Sequence, residues 1–350
     1  MFRSLSFLLL LNACSGGDDG VVGDDSGDTG LPQCGRIRGT EGVLMYQEDG
    51  AAVRSPLEAP NTYEVTTGVA GLDDGVTWLA VISGKVLVSV DAGCNWDDAG
   101  SLPDGDWRLV AAGDRIYAFD GAAGNVALSE DIGVSWTSKP AGGPFVGAAV
   151  DHTLPNRLAA IFAGGLGVSV DAGDTWTIAG TAPAGPTTMV AGDVLASNFD
   201  VAVVGGPEGA WRTSDGGATW TQAFDEGSVT AIITHPDDSN VMFAQATSDD
   251  TATIYRTSDA GGDWAKQVDS SQVVLQDEAR LWGVPGNVLR AISTSGPVHN
   301  DNTDSDGVNL YIVTAGEGTR TTYVGGWSHI SQVTFGADRW IAAVDATAAR

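Results

Sequence analysis

Two pairs of neighbouring acidic residues are the side chains in this chain best suited to chemistry. The pairs are Asp225–Glu226 and Asp277–Glu278. Carboxylates that face each other across a channel can hydrolyse a glycosidic bond, one as the acid and the other as base or nucleophile. We therefore keep a glycosidase function open, with these four residues as the catalytic groups. Because 45 of the 350 residues are Asp or Glu, the same pairs also fit an acidic surface without catalysis.

A second acidic group, Asn302-x-Asp304-x-Asp306-Gly307, suggests a metal site. Alternating side-chain oxygens followed by glycine resemble the opening of a loop that wraps Ca²⁺. Val313 stands at the twelfth position, where such a loop closes with a bidentate Glu. Two interpretations remain: a calcium site completed by acids from neighbouring loops, and a solvated acidic loop that holds no cofactor.

The segments that position these groups are organised by a repeat. The pattern [Ser/Thr]-x-Asp-x-Gly-x-x-Trp occurs five times, at aspartates 91, 131, 171, 215 and 259, so the steps are 40, 40, 44 and 44 residues. A period in this range is typical of an architecture in which each copy is one supersecondary unit. The five pairs are Asp91 and Trp96, Asp131 and Trp136, Asp171 and Trp176, Asp215 and Trp220, and Asp259 and Trp264.

Each copy lies between two short segments with strand patterning, so we interpret it as a hairpin turn and call it the repeated turn. The Asp side chain can accept hydrogen bonds from N–H groups two or more residues later. The Gly can adopt a positive φ without a Cβ clash. The Trp can fold its ring over the turn, and truncating a buried Trp costs about 3–5 kcal/mol. These roles are structural, so the repeated Asp is not expected to be a catalytic acid.

The repeated turn resembles the Asp-box (BNR) repeat of the sialidase-like β-propellers, which also occurs in sortilins, xyloglucanases and photosystem II assembly factors. The resemblance implies an all-β fold, a seven-bladed β-propeller of four-stranded antiparallel blades. In that family the turns lie on the rim, away from the ligand face, and members differ widely in activity. A sialidase would also carry an Arg-Ile-Pro motif, whereas Arg36-Ile37-Arg38 lacks the proline.

The two ends of the chain are expected to share one blade. Residues 42–46 have strand patterning, and Asp49 keeps the register of the repeated turn, 42 residues before Asp91. Residues 330–335 and 339–344 have the patterning of the first two strands of a blade. Pairing the N-terminal strands with these would close the ring and remove its exposed edges.

The N-terminus carries an export signal. Residues 1–13, with Arg3 before an apolar run, are predicted to be a lipoprotein signal peptide, and Cys14 its lipidation site. Ser15 favours the bacterial outer membrane, and an ordinary secretory signal is the alternative. Residues 14–34, rich in Asp and Gly, are predicted to be a disordered tether, and residues 35–350 the propeller. Export permits a disulfide, and Cys34–Cys94 is the hypothesis.

The net charge of the chain limits the kinds of partner that it can bind. A formal net charge of −28 argues against nucleic acid and anionic lipid headgroups, both of which need basic patches. We therefore predict a monomeric, lipid-anchored module that binds a protein or a glycan, with a sialidase- or xyloglucanase-like glycoside hydrolase and an assembly factor as alternatives. Its binding face is expected to include His299, Trp327 and His329.

Overall fold

The computed structural model describes the chain in segments. They are residues 43–49, 52–54, 66–82, 84–93, 95–151, 153–186, 188–191, 199–235, 238–248, 251–268, 280–282, 289–295, 307–314, 317–325, 327–335 and 339–346. All of them belong to one unit, Pro32–Arg350. These segments contain strands, turns and bends and no helix, so the described part of the chain is all-β.

The strands follow one another in short hairpins. The first are β1 (Val43–Asp49), β2 (Ala52–Arg54), β3 (Thr66–Gly71), β4 (Trp78–Ile82), β5 (Lys85–Ser89), β6 (Asp97–Ser101), β7 (Arg108–Ala112), β8 (Arg115–Asp120), β9 (Asn125–Ser129) and β10 (Thr137–Pro140). Next come β11 (Phe145–Val150), β12 (Leu158–Phe162), β13 (Gly165–Ser169), β14 (Thr177–Ala179), β15 (Thr188–Ala191), β16 (Ala202–Gly206), β17 (Gly209–Thr213) and β18 (Thr221–Phe224). The last are β19 (Ser228–His235), β20 (Asp238–Ser248), β21 (Thr251–Thr257), β22 (Ala265–Val268), β23 (Arg280–Trp282), β24 (Leu289–Ser295), β25 (Gly307–Thr314), β26 (Glu317–Gly325), β27 (Trp327–Phe335) and β28 (Arg339–Ala346).

These strands form four-stranded antiparallel sheets, seven of them within the described segments. Six sheets take consecutive strands in chain order: β3–β6, β7–β10, β11–β14, β15–β18, β19–β22 and β23–β26. The seventh has the order β2-β1-β28-β27 and joins the two ends of the chain. Its central pairing places Val43 opposite Ala343 and Gln47 opposite Arg339.

In the sheets whose side chains are described, burial falls from the inner strands to the fourth. Every residue of β4, β12 and β16 is buried. The fourth strands β6, β10 and β14 are mostly exposed and polar. A strand that is apolar on both faces must be covered on both faces, so the sheets pack against one another through their inner strands.

Most apolar clusters of the described core span two consecutive sheets. One cluster joins Leu79 of β4 to Leu109 of β7 and Ile116 of β8. Another joins Phe119 of β8 to Phe162 of β12. Each buried side chain of this size contributes roughly 1.5–3 kcal/mol to folding, so the face-to-face packing of the sheets is the main stabilising interaction.

One strand differs from the expectation. Strand patterning favoured residues 63–66 as the first strand of its sheet, whereas the structure has β3 at Thr66–Gly71. Residues 63–65 lie outside the described segments. β3 contains two glycines, which are uncommon in strands, so its sequence does not have clear strand patterning. Gly68 is required because a Cβ there would lie 2.6 Å from the carbonyl oxygen of Trp107, just before β7.

Candidate functional site

The repeated turn is held by a fixed set of hydrogen bonds. The Ser169 hydroxyl donates to Asp171 Oδ1 at 2.9 Å and accepts the Gly173 N–H at 2.9 Å. Asp171 also accepts the Thr175 N–H on Oδ1 at 2.9 Å and the Thr175 hydroxyl on Oδ2 at 2.6 Å. Both carboxylate oxygens are therefore used to close the turn.

The other described copies repeat this arrangement. The N–H group four residues after the Asp donates to the carboxylate at 2.8–3.0 Å in the turns of Asp91, Asp131, Asp215 and Asp259. Hydrogen bonds from Thr175 and Ser169 lower the pKa of Asp171 to about 2. Hydrogen bonds from Ser135, Thr219 and Thr257 likewise lower the pKa values of Asp131, Asp215 and Asp259. Carboxylates that stay ionised at neutral pH have no proton to give, so they cannot act as general acids.

The residue between Asp and Gly has a left-handed backbone, a feature that the sequence analysis missed. Its φ is 55° at Ala92, 57° at Ile132, 59° at Ala172 and 57° at Ala260. One copy has glycine there, Gly216, with a φ of 66°. That single glycine was the only sequence signal, because non-glycine residues rarely adopt this conformation.

The glycine of each turn packs against the preceding sheet. A Cβ on Gly133 would lie 2.8 Å from Leu79 Cδ2, and one on Gly261 would lie 2.5 Å from Val203 Cγ2. Polar contacts accompany this packing. Arg212 Nε donates to the Ala260 carbonyl oxygen at 2.8 Å. The repeated turns therefore fasten neighbouring sheets as well as ending hairpins.

The tryptophans of the turns pack at the same junctions. The indole N–H of Trp136 donates to the Gly133 carbonyl oxygen at 3.0 Å, and that of Trp264 to Gly261 at 3.2 Å. The Trp176 ring meets Phe162 edge-on, with centroids 5.3 Å apart. These contacts place Trp136, Trp176 and Trp264 in the packing of the sheets.

On the side of the repeated turns, a cleft of about 450 Å³ separates sheets β7–β10 and β11–β14. We call it the turn-side cleft. Its walls come from three short segments: Asp114 and Arg115, Glu130, and Leu154 to Arg157 with Val170. Leu154 and Val170 are 46% and 67% exposed, which is high for aliphatic side chains in a concave surface.

The floor of the turn-side cleft is built from satisfied polar contacts. Tyr117, fully buried, donates its hydroxyl to the Pro155 carbonyl oxygen at 2.5 Å and so links the two sheets. Burial raises the pKa of Tyr117, which keeps the hydroxyl protonated as a donor. Arg115 pairs with Glu130 at 2.8 Å across the wall.

A buried ion pair supports the wall that carries Leu154. Arg157 Nη1 lies 3.1 Å from Asp151 Oδ2, and the Arg157 guanidinium stacks 5.2 Å above the Phe199 ring. Burial acts to raise the pKa of Asp151, but hydrogen bonds from Thr153, Leu154 and Arg157 outweigh it and hold the pKa below its usual value. Leu154 and Arg157 are thus both bonded to Asp151 in the protein without a ligand.

The first pair of candidate catalytic acids lies within the described segments, and both side chains are solvent-exposed. Asp225 and Glu226 follow β18 directly. Burial raises the pKa of Tyr255, and the nearby charge of Glu226 raises it further. Within the described segments no group of three or more His, Cys, Asp or Glu is suited to a metal ion.

Most other candidate residues fall outside the described segments. They are Asp277, Glu278, His299, Asn302, Asp304, Asp306, Cys14, Cys34 and Cys94, together with the ranges 1–13 and 14–34. Trp327 and His329 lie at the start of β27, opposite Ala346 and Asp345 of β28. In the part of the chain that is described, no helix has the length and apolarity needed to cross a bilayer.

The residues of the turn-side cleft were not among the sequence candidates. Glu130, Val170, Ser214 and Ser258 occupy the same position of the repeated turn, and only valine is apolar there. Val90 shares that feature in sheet β3–β6. An apolar residue at a solvent-facing turn position was therefore the available signal.

Similar solved structures define the class of fold. The chain superimposes on YCF48 from Cyanidioschyzon merolae with a TM-score of 0.53 at 14% identity, covering 86% of this chain and 98% of that one. YCF48 bound to D1 peptide gives 0.54 at 11% identity, covering 88% and 99%. The GH74 xyloglucanase from Xanthomonas campestris gives 0.52 at 14% identity, covering 91% of this chain and 59% of that one. These likenesses identify a β-propeller.

Sequence comparison adds one relative. The Dispase autolysis-inducing protein of Streptomyces mobaraensis is 29% identical over 161 residues, which are 45% of this chain and 43% of that protein. The match thus spans less than half the length of the curated relative. No protein-family profile matches the chain.

Proposed function

We propose that this chain is an exported, lipid-anchored β-propeller that binds another protein. In this proposal the seven sheets are the blades of one ring, pairing between β1 and β28 closes it, and the repeated turn is an Asp box. Residues 1–13 are removed as a signal peptide, Cys14 carries the lipid in the outer membrane, and residues 14–34 are the tether. The propeller acts as a monomer.

The observation that carries the proposal is the turn-side cleft. It combines walls joined by a hydrogen bond and two ion pairs with aliphatic side chains left in solvent. Exposed apolar groups in a prebuilt concavity are typical of a recognition surface. The likeness to a propeller in complex with a peptide supports a protein ligand.

The curated relative points to the same class of partner. Its name describes the induction of autolysis in dispase, which is an effect on another protein. By this likeness an exported hydrolase, or the segment of it that is cleaved, is a reasonable first partner to test for this chain. The net charge of −28 favours a partner with a basic surface.

Glycoside hydrolysis is the second candidate. The GH74 likeness supports it, as do the acids Asp225 and Glu226 with Asp277 and Glu278. The purified protein should be assayed on aryl glycosides and polysaccharides including xyloglucan. Turnover that is lost in Glu226→Gln or Glu278→Gln would favour the hydrolase over the binding module.

Protein binding is tested with the full chain displayed on its native membrane. Cross-linking followed by mass spectrometry should recover one or a few exported proteins, and the purified candidate should bind the purified chain at a defined stoichiometry. A chain that binds no purified candidate would contradict the proposal. Cys14→Ser should move the protein from membrane to soluble fractions without altering this binding.

A further inference from the structure

We infer that the turn-side cleft is the docking site for an extended segment of the partner protein that carries an aliphatic side chain two residues from a basic one. This inference rests on the proposed protein-binding function and names the surface and the chemistry that the partner must present. Side chains two apart in an extended segment point to the same side, so both can enter one cleft.

The aliphatic half of the motif follows from Leu154 and Val170. Both line the cleft and both keep large exposed fractions, 46% and 67%. The equivalent turn positions in other sheets are Val90, which is 65% exposed but does not line the cleft, and Ser214 and Ser258. Nothing in the turn itself requires valine, because the hydrogen bonds run through Ser169 and Asp171. The apolar surface is therefore available for a partner side chain.

The basic side chain of the motif follows from the carboxylate oxygens that the ion pairs of the cleft leave open. Arg115 is paired with Glu130, and Arg157 with Asp151, so a carboxylate already balances the charge of each cation. Arg115 occupies Oε1 of Glu130 with both its Nε and Nη2, which leaves the second oxygen open. Asp114 is exposed at the same wall and has no ion pair or hydrogen bond among the described residues. The cleft thus offers carboxylate oxygens to a cation.

The cleft is also the right size and stiffness for a short peptide. A volume of about 450 Å³ accommodates a few side chains rather than a folded domain. The Tyr117–Pro155 hydrogen bond and the Asp151–Arg157 pair hold both walls in the free protein. A preformed site loses little conformational freedom on binding, which favours recognition of a flexible segment.

The test uses the full chain and three acetylated, amidated octapeptides with the cores Leu-Ser-Arg, Leu-Ser-Glu and Ser-Ser-Arg. Binding is followed by NMR of the leucine and valine methyl groups. The Leu-Ser-Arg peptide should shift the methyl signals of Leu154 and Val170. Each of the other peptides should bind about tenfold more weakly, or more so, because each lacks one of the two contacts.

Variants separate the cleft from the rest of the surface. Val170→Ser and Asp114→Asn should each weaken the Leu-Ser-Arg peptide several-fold, while Val90→Ser, the matched turn position in another sheet, should leave it unchanged. Equal affinity for the acidic and basic peptides, no methyl shift, or equal effects of Val170→Ser and Val90→Ser would overturn the inference. If the full chain still binds a purified partner in those cases, the proposed function stands and the site lies elsewhere.

Discussion

Ile132 and Gly216 occupy the same position of the repeated turn and share one left-handed backbone, with φ of 57° and 66°. An L-residue in that conformation loses roughly 1–2 kcal/mol, and a β-branched side chain is among the least tolerant. The turn therefore imposes on Ile132 a backbone that glycine adopts freely.

Replacing Ile132 by glycine should stabilise the protein. The relief of backbone strain exceeds the extra entropy that glycine gives the unfolded chain, so we expect a gain of about 0.5–1 kcal/mol. Urea unfolding measures it. The reciprocal change Gly216→Ile should destabilise, since a Cβ there meets only Asp200 Oδ1 at 3.6 Å and strain is the main effect. A loss of stability in Ile132→Gly would contradict the strain argument.

Acid should weaken the repeated turns. Asp171 has a folded-state pKa of about 2, below the value near 4 of an unfolded Asp. Its stabilising effect is therefore fully present above pH ~4 and is lost as the pH falls toward 2. The urea midpoint should drop over this range in the parent protein and drop less in Asp171→Asn. Asp104→Asn, which removes the same charge outside the repeated turns, should keep the parent's pH dependence.

Alanine variants of two glycines with nearly the same φ distinguish the effect of backbone strain from the effect of packing. Gly142 and Gly261 have φ of 85° and 84°, but a Cβ on Gly142 meets nothing within 4 Å and one on Gly261 meets Val203 Cγ2 at 2.5 Å. Both alanine variants should be destabilised by strain. Gly261→Ala should lose about 1–3 kcal/mol more because it overpacks the junction between two sheets. Equal losses of stability in the two variants, measured by thermal or urea unfolding, would show that the junction between the sheets repacks around the added methyl group.

The Tyr117 hydroxyl should contribute measurably to stability. Tyr117→Phe removes its hydrogen bond to the Pro155 carbonyl oxygen across two sheets, and we expect a loss of about 1–2 kcal/mol. Tyr255→Phe is the control, because the Tyr255 hydroxyl has no hydrogen-bond partner among the described residues, and its change should stay within about 0.5 kcal/mol. A neutral Tyr117→Phe would mean that the link between the sheets contributes little.

Local patterns in the sequence predicted much of the strand architecture. Residues 125–129 and 145–150 have the patterning that predicts strands, and these ranges coincide with β9 and β11. These elements were predictable because strand alternation, turn glycines and a fixed repeat act over a few residues. The first strand of sheet β3–β6 begins later than its patterning predicts, because Gly68 packs against the Trp107 carbonyl oxygen next to the following sheet. A local sequence pattern does not record such a contact.

The turn-side cleft could not be predicted in the same way. Its floor depends on Tyr117 reaching Pro155, which lies 38 residues further along the chain. Its wall depends on Arg157 contacting both Asp151 and Phe199. Such contacts become visible only when neighbouring sheets are placed together. Long acidic loops are conspicuous in composition, whereas this cleft is assembled from short turns of two sheets.

The pairing of β1 with β28 joins residues as distant as Val43 and Ala343, 300 positions apart. A contact of such long range is formed at a large cost in chain entropy, and it slows folding. During synthesis, one edge of β1 therefore stays without its strand partner until β28 has been made. An open strand edge exposes backbone hydrogen-bonding groups, so in this interval β1 can pair with other chains.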